Sequence, residues 1–189
     1  MQFFMHHYMK NRRQPKVQTM IVTLNEVEQT LAKTVGSKRN QQNLTNGTNS
    51  SAVANPDNDI NGFAGELALA RVLNSYPDLS IGPHRRGFDL KMRGNNGKDV
   101  RIDVKTTRHQ DGYLIAKKWR KADDCDMYVL VSGKMPRYEI QGWVWSAELV
   151  NPSNLSDNGY GEHYHMERSQ LREWRYGNRY SEVDLFEVI

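Results

Sequence analysis

Asp103 and Lys105 stand two apart in "DVRIDVKTT" (99–107), where Val100, Ile102, Val104 and Thr106 alternate with Arg101, Asp103, Lys105 and Thr107. That period is a β-strand's, so the carboxylate and the ammonium project from one face. The run "GFDLKMR" (87–93) precedes it across a turn at 94–97 whose Asn96-Gly97 pair favours positive φ, a hairpin that sets Asp89 beside Asp103. Glu66 lies in a helical segment that must pack on this sheet. Three carboxylates within about 5 Å repel by roughly 3 kcal/mol per pair at an effective dielectric near 20, so such a cluster needs a cation. Oxygen donors without His or Cys suit Mg²⁺ or Mn²⁺, which take phosphate oxygens as remaining ligands. Lys105 would then orient the attacking water or offset charge developing on the phosphate.

A second register exists one strand upstream, where Asp89-Leu90-Lys91 follows Pro77-Asp78. Asp103 and Lys105 are preferred because their strand alternates cleanly with apolar partners, as a strand with a buried face should.

The positioning elements follow from periodicity. "MIVTL" from Met20 reads as a strand, followed by a short helix opened by Asn25 as N-cap, with acids in its first turn and Lys38 and Arg39 suited to the dipole at its end. Residues 40–61 are Asn, Gln, Ser, Thr and Gly with little to bury and read as a polar loop. "NGFAGELALARVLNSY" (61–76) is the clearest helix, with Ala64, Leu67, Ala68, Arg71 and Val72 on one face and Pro77 as its stop. Gly62, Gly65 and the alanines should let it lie close to the sheet. "GYLIA" (112–116), "MYVLVSG" (127–133) and "YEIQGWVW" (138–145) read as strands, and a short helix near Ser169–Trp174 leads to a final strand, "VDLFEVI". The expected fold is α/β, α+β-like, in one domain over 20–189 behind a basic flexible extension, 1–19.

The 189 residues carry a net charge of +4 and a pI near 9.1. Residues 1–19 hold Lys10, Arg12, Arg13 and Lys16 and no acid, whereas residues 84–121 hold 12 lysines and arginines against four acids, a net +8 around the very carboxylates at issue. This band reads either as a nucleic-acid footprint or as a solvated surface. Cys125 is the only cysteine, which excludes an internal disulfide or a cysteine zinc cage and suits a reducing compartment. No run approaches the roughly 18 apolar residues of a membrane span and no secretory h-region opens the chain, so a cytoplasmic location is expected.

Glu66, Asp89 and "IDVKTT" together resemble the PD-(D/E)XK nuclease superfamily. The longer string "GFAGELALARVLN … IDVKTTRHQDGYLIA … MYVLVSG … IQGWVWSAEL" is similar to a group of phage-type nuclease-like proteins, over roughly Met20 to the C-terminus. The resemblance implies a mixed central sheet of the restriction-endonuclease-like type with a flanking N-terminal helix carrying Glu66. It implies Mg²⁺ or Mn²⁺ held by Glu66, Asp89, Asp103 and the Val104 carbonyl, with Lys105 catalytic, and so a metal-dependent deoxyribonuclease of endonuclease or resolvase-like type. Phe88 replaces the proline that precedes the first aspartate in the superfamily, and the link "KKWRKADDCD" leaves little room for its second core helix.

Arg86, Arg101, Thr107, Arg108, His109, Lys117 and Lys118 are the residues expected at nucleic acid, DNA foremost; Arg108 also reads as a surface charge and His109 as a loop cap. A homodimer would suit symmetric cutting of two strands. Trp143 and Trp145 read as sheet packing before base stacking, His163 and His165 as a metal-spaced pair without a third ligand, and Asp123, Asp124 and Asp126 as turn caps. The alternative function is a non-cleaving nucleic-acid-binding or phage accessory protein that keeps a nuclease fold.

Overall fold

A computed structural model of the chain describes residues 20–46, 55–82, 87–94, 97–157, 159 and 161–174. The extension 1–19, Arg86 and the final strand expected in "VDLFEVI" lie outside the described residues. Strand β1 (Met20–Thr23) leads into helix α1 (Glu26–Thr45), where the Asn25 side chain accepts from the Glu28 N–H and Glu28 reaches back to the Asn25 N–H. This capping box satisfies two donors that no helical carbonyl can reach.

Helix α1 ends at Thr45, a few residues past the expected end near Gln42 and inside the polar segment read as loop. Its buried stripe is Ala32, Val35, Gly36, Arg39 and Asn40, a true helical spacing whose last two members are polar and therefore hide it from an apolar count. Arg39 is thus a buried mid-helix residue, and the last turn carries no basic residue. Helix α2 (Pro56–Val72) also begins inside the expected loop, with Asn55 as N-cap and Pro56 in the first turn, the position proline favours. All residues from Phe63 to Ala70 are buried, because α2 is covered by α1 on one side and by the sheet on the other.

The main sheet has the order β1-β6-β5-β3-β2, with β2 at Leu90–Arg93, β3 at Asp99–Thr107, β5 at Met127–Lys134 and β6 at Arg137–Trp145. Strands β3 and β5 are parallel, Asp103 beside Tyr128 and Lys105 beside Leu130; the other neighbours are antiparallel. A parallel pair needs a crossover. Here the crossover is strand β4 (Leu114–Lys117), which belongs to a second, antiparallel sheet of order β4-β8-β7, with β7 at Leu155–Asp157 and β8 at Glu162–Met166. The protein is therefore mixed α/β.

Two cores flank the main sheet. Toward the helices, Ile102, Val104, Met127, Val129 and Val131 pack on Phe63, Ala64, Leu67 and Ala68. Toward the small sheet, Tyr128, Leu130 and Val144 pack on Leu114, Ala116 and Leu149 of the short helix α3 (Ser146–Leu149). Each fully buried aliphatic contributes roughly 1.5–3 kcal/mol. Strand β5 is buried from Met127 to Ser132 because it serves both cores. Two glycines permit the helical layer's close approach: a Cβ at Gly36 would lie 2.5 Å from the Ile60 Cα, and one at Gly65 would lie 2.0 Å from the Thr106 Oγ1. Gly62, expected to share that role, has nothing within 4 Å of a Cβ.

Beyond β8, a single 3-10 turn at Arg168–Gln170 stands where a helix was expected near Ser169–Trp174, because Arg172 pairs its backbone with Trp143 instead. Among the described residues no helix is long and apolar enough to cross a membrane.

Candidate functional site

Because Ile102 and Val104 face the helices, Asp103 and Lys105 project toward the small sheet. Asp103 is 1% exposed. Its Oδ2 accepts a hydrogen bond from Arg120 Nη2 at 2.5 Å, and Arg120 Nη1 donates to the Gly87 carbonyl at 3.0 Å. Lys105 Nζ forms an ion pair with Asp103 Oδ1, so each carboxylate oxygen is met by one cationic side chain. The surroundings are dry: burial pushes the Cys125 thiol up to about 11 and raises the Tyr128 phenol as well.

Asp89 lies just before β2 and extends its pairing with β3. Its N–H donates to the Ile102 carbonyl at 2.8 Å, and its Oδ2 accepts from the Val104 N–H at 2.8 Å, so the carboxylate closes the ladder where β2 begins. Burial, then the negative charge of Asp103, pushes the Asp89 carboxyl up to about 6, while Lys105, the Val104 N–H and Arg39 pull it back.

Glu66 is buried on α2 and paired with Arg39, whose Nη1 donates to both carboxylate oxygens at 3.0 and 2.9 Å. Arg39 also donates to the Asp78 carbonyl at 2.5 Å and the Ser80 carbonyl at 3.4 Å, and its guanidinium lies 4.7 Å from the centre of the Phe63 ring. Among the described residues, no three His, Cys, Asp or Glu side chains are placed to hold a metal ion. The expected three-carboxylate cluster is thus not assembled. Asp89, Asp103 and Lys105 come together, and Glu66 takes its positive partner from α1.

A cleft of about 520 Å³ opens beside Lys105, at the end of β3, and is lined also by Thr107, His109, Asp111, Tyr113 and Ile115. Thr107 Oγ1 accepts from the His109 N–H at 3.2 Å, and Arg108 is exposed at the same strand end. Lys117 is exposed on β4; Lys118 forms an ion pair with Glu162; and Arg101 is tied through two nitrogens and its backbone N–H to Asp126.

Asp124 caps a turn, accepting from the Lys121 N–H, whereas Asp126 does not: it accepts from the Arg101 N–H and guanidinium on β3. Trp143 is buried and meets Trp145 edge-on, as sheet packing requires. Arg39 and Arg120 are the residues sequence reasoning missed. Arg120 stood within the basic band but seventeen residues from Asp103, and Arg39 passed for a helix-end charge.

Comparison with curated proteins and with solved structures gave no match. Residues 13–146, which hold the whole main sheet and every charged group of the site, match a family of unknown function, DUF5843, and the chain belongs to that family.

Proposed function

We propose that the chain is a divalent-metal-dependent nuclease that hydrolyses DNA phosphodiester bonds, built on a sheet of the restriction-endonuclease-like type. The observation that carries this reading is the buried Asp103 carboxylate, whose partner Lys105 opens onto a cleft, beside a second carboxyl driven up to about 6. A pair of neighbouring carboxylates beside a backbone carbonyl is an oxygen donor set that Mg²⁺ or Mn²⁺ takes.

Asp89, Asp103 and the Val104 carbonyl would hold the ion. Bound there, it supplies positive charge that polarises a phosphate oxygen. Lys105, 29% exposed at the cleft, orients the attacking water and offsets charge on the phosphate. Arg120 fixes Asp103 and the Gly87 carbonyl in relation to one another. Glu66 acts through Arg39 as a positioning residue that holds the 78–80 backbone, and the mixed sheet with a glutamate-bearing helix on one face supports the fold assignment.

Plasmid nicking in the presence of Mg²⁺, Mn²⁺ or EDTA tests the reading. Lys105→Ala is expected to lower metal-dependent cleavage by roughly 10²–10³-fold while the fold persists, and unaltered cleavage overturns the assignment. A non-cleaving nucleic-acid-binding or phage accessory role is the second reading. What favours it is the charge balance, Glu66 being matched by Arg39, and Asp103 by Arg120 and Lys105; binding without hydrolysis in millimolar Mg²⁺ selects it.

A further inference from the structure

We propose that the cleft beside Lys105 and the adjoining outer face of the β4–β8 pair bind single-stranded nucleic acid, with a base stacked on Tyr113 and phosphates taken by Lys105 and Lys117. Leu114 and Ala116 point into the core, so Tyr113, Ile115 and Lys117 share the outer face at a spacing of ~6.8 Å. Tyr113 and Ile115 also line the cleft with Lys105, which makes face and cleft one continuous surface.

Tyr113 is 51% exposed and is met edge-on by His165, centroids 4.9 Å apart at 77°. A ring held by a T-shaped neighbour yet half open to solvent is a fixed stacking platform. His165 lies opposite Ile115 in the register, and His163 opposite Lys117, so the face interleaves aromatic rings with positive charge. Asp111 is the one acid among the described residues lining the cleft. Only an unpaired base offers both its faces, because in a duplex they are covered by neighbouring bases, so this surface selects a single strand.

The placement of the cleavable phosphate near Lys105 rests on the nuclease reading, but strand binding does not require hydrolysis. Fluorescence anisotropy of a labelled oligothymidylate of about 16 nucleotides, in EDTA, is the test, with a duplex of equal length alongside and oligouridylate as a parallel arm. Binding of either single strand supports the surface, and the two arms identify its source as DNA or RNA. Tyr113→Ala is expected to weaken single-strand binding tenfold or more and leave duplex binding unchanged, with Tyr113→Phe restoring the affinity. Equal or tighter duplex binding, or an unchanged affinity in Tyr113→Ala, overturns the proposal. If Tyr113→Ala behaves as expected while no divalent ion yields cleavage, the nuclease reading alone fails.

Discussion

Glu66 and Asp103 are both buried carboxylates with an arginine for partner, yet their surroundings differ in one respect. Around Glu66 the pair is sealed: both its oxygens accept from Arg39, and Arg39, itself buried, also donates to two carbonyls and sets its guanidinium over Phe63. Around Asp103 the pair is open on one side, since Lys105, the partner of Oδ1, lines a cleft and is partly exposed. A buried ion pair sealed from solvent is architecture, whereas one whose cation opens onto a cleft can exchange that partner for a metal ion or a substrate. Residue type alone, a Glu and an Asp, cannot separate the two.

The largest expected effect lies on the closed side. Arg39→Ala leaves Glu66 buried without its cation and two carbonyls without donors, so urea denaturation should show a loss of about 3–5 kcal/mol. Because no group of described residues on that side is arranged to receive a metal, millimolar Mg²⁺ should not restore the midpoint. Restoration by Mg²⁺ would mean that Glu66 belongs with Asp89 and Asp103 after all, and the contrast between the two carboxylates would break.

Arg120→Ala applies the same operation on the open side. It releases Asp103 Oδ2 and the Gly87 carbonyl, and with the arginine already 16% exposed the expected loss is about 1–3 kcal/mol. The sign of the metal effect should differ here. Removing a competing cation leaves a more negative pocket, so added Mg²⁺ or Mn²⁺ should recover stability in Arg120→Ala beyond any effect on the parent chain. Equal responses of the two chains would remove Asp89 and Asp103 as the ion's ligands.

The alternation of β3 was legible to the residue, and with it the shared face of Asp103 and Lys105, because a strand with one apolar side writes its period directly into the chain. Asp89 was legible through the hairpin. The partners of these acids were not. Arg39 occupies an apolar slot of α1 only because Glu66 and two carbonyls meet it there, contacts 27, 39 and 41 residues away. The same polar stripe hid the end of α1, and Pro56 behind Asn55 was an available helix signal outweighed by the surrounding Asn-rich composition. The second sheet was illegible for a different reason. β4 pairs with β8, some fifty residues on, and the short polar strands β7 and β8 carry little apolar periodicity.

Asp89 joins the two regions, since Arg39 and Asp103 both act on its carboxyl, and it supplies the finest test. Its pKa rises from 3.8 in the unfolded chain to about 6 on folding. The folded state therefore binds the proton more tightly, its relative stability is full below about pH 4, and it is lost progressively up to about pH 6. Asp89→Asn removes that loss and keeps an oxygen for the Val104 N–H. For a half-buried group the advantage of the variant should reach about 1–2 kcal/mol above pH 6 and shrink toward zero near pH 4. Saturating Mg²⁺ should reverse the ranking at high pH, because the ionised carboxylate then has a partner that an amide serves poorly. A variant that is less stable at pH 8 without metal would mean that Lys105 and Arg39 already neutralise Asp89 in full, leaving the open site as closed as the one around Glu66.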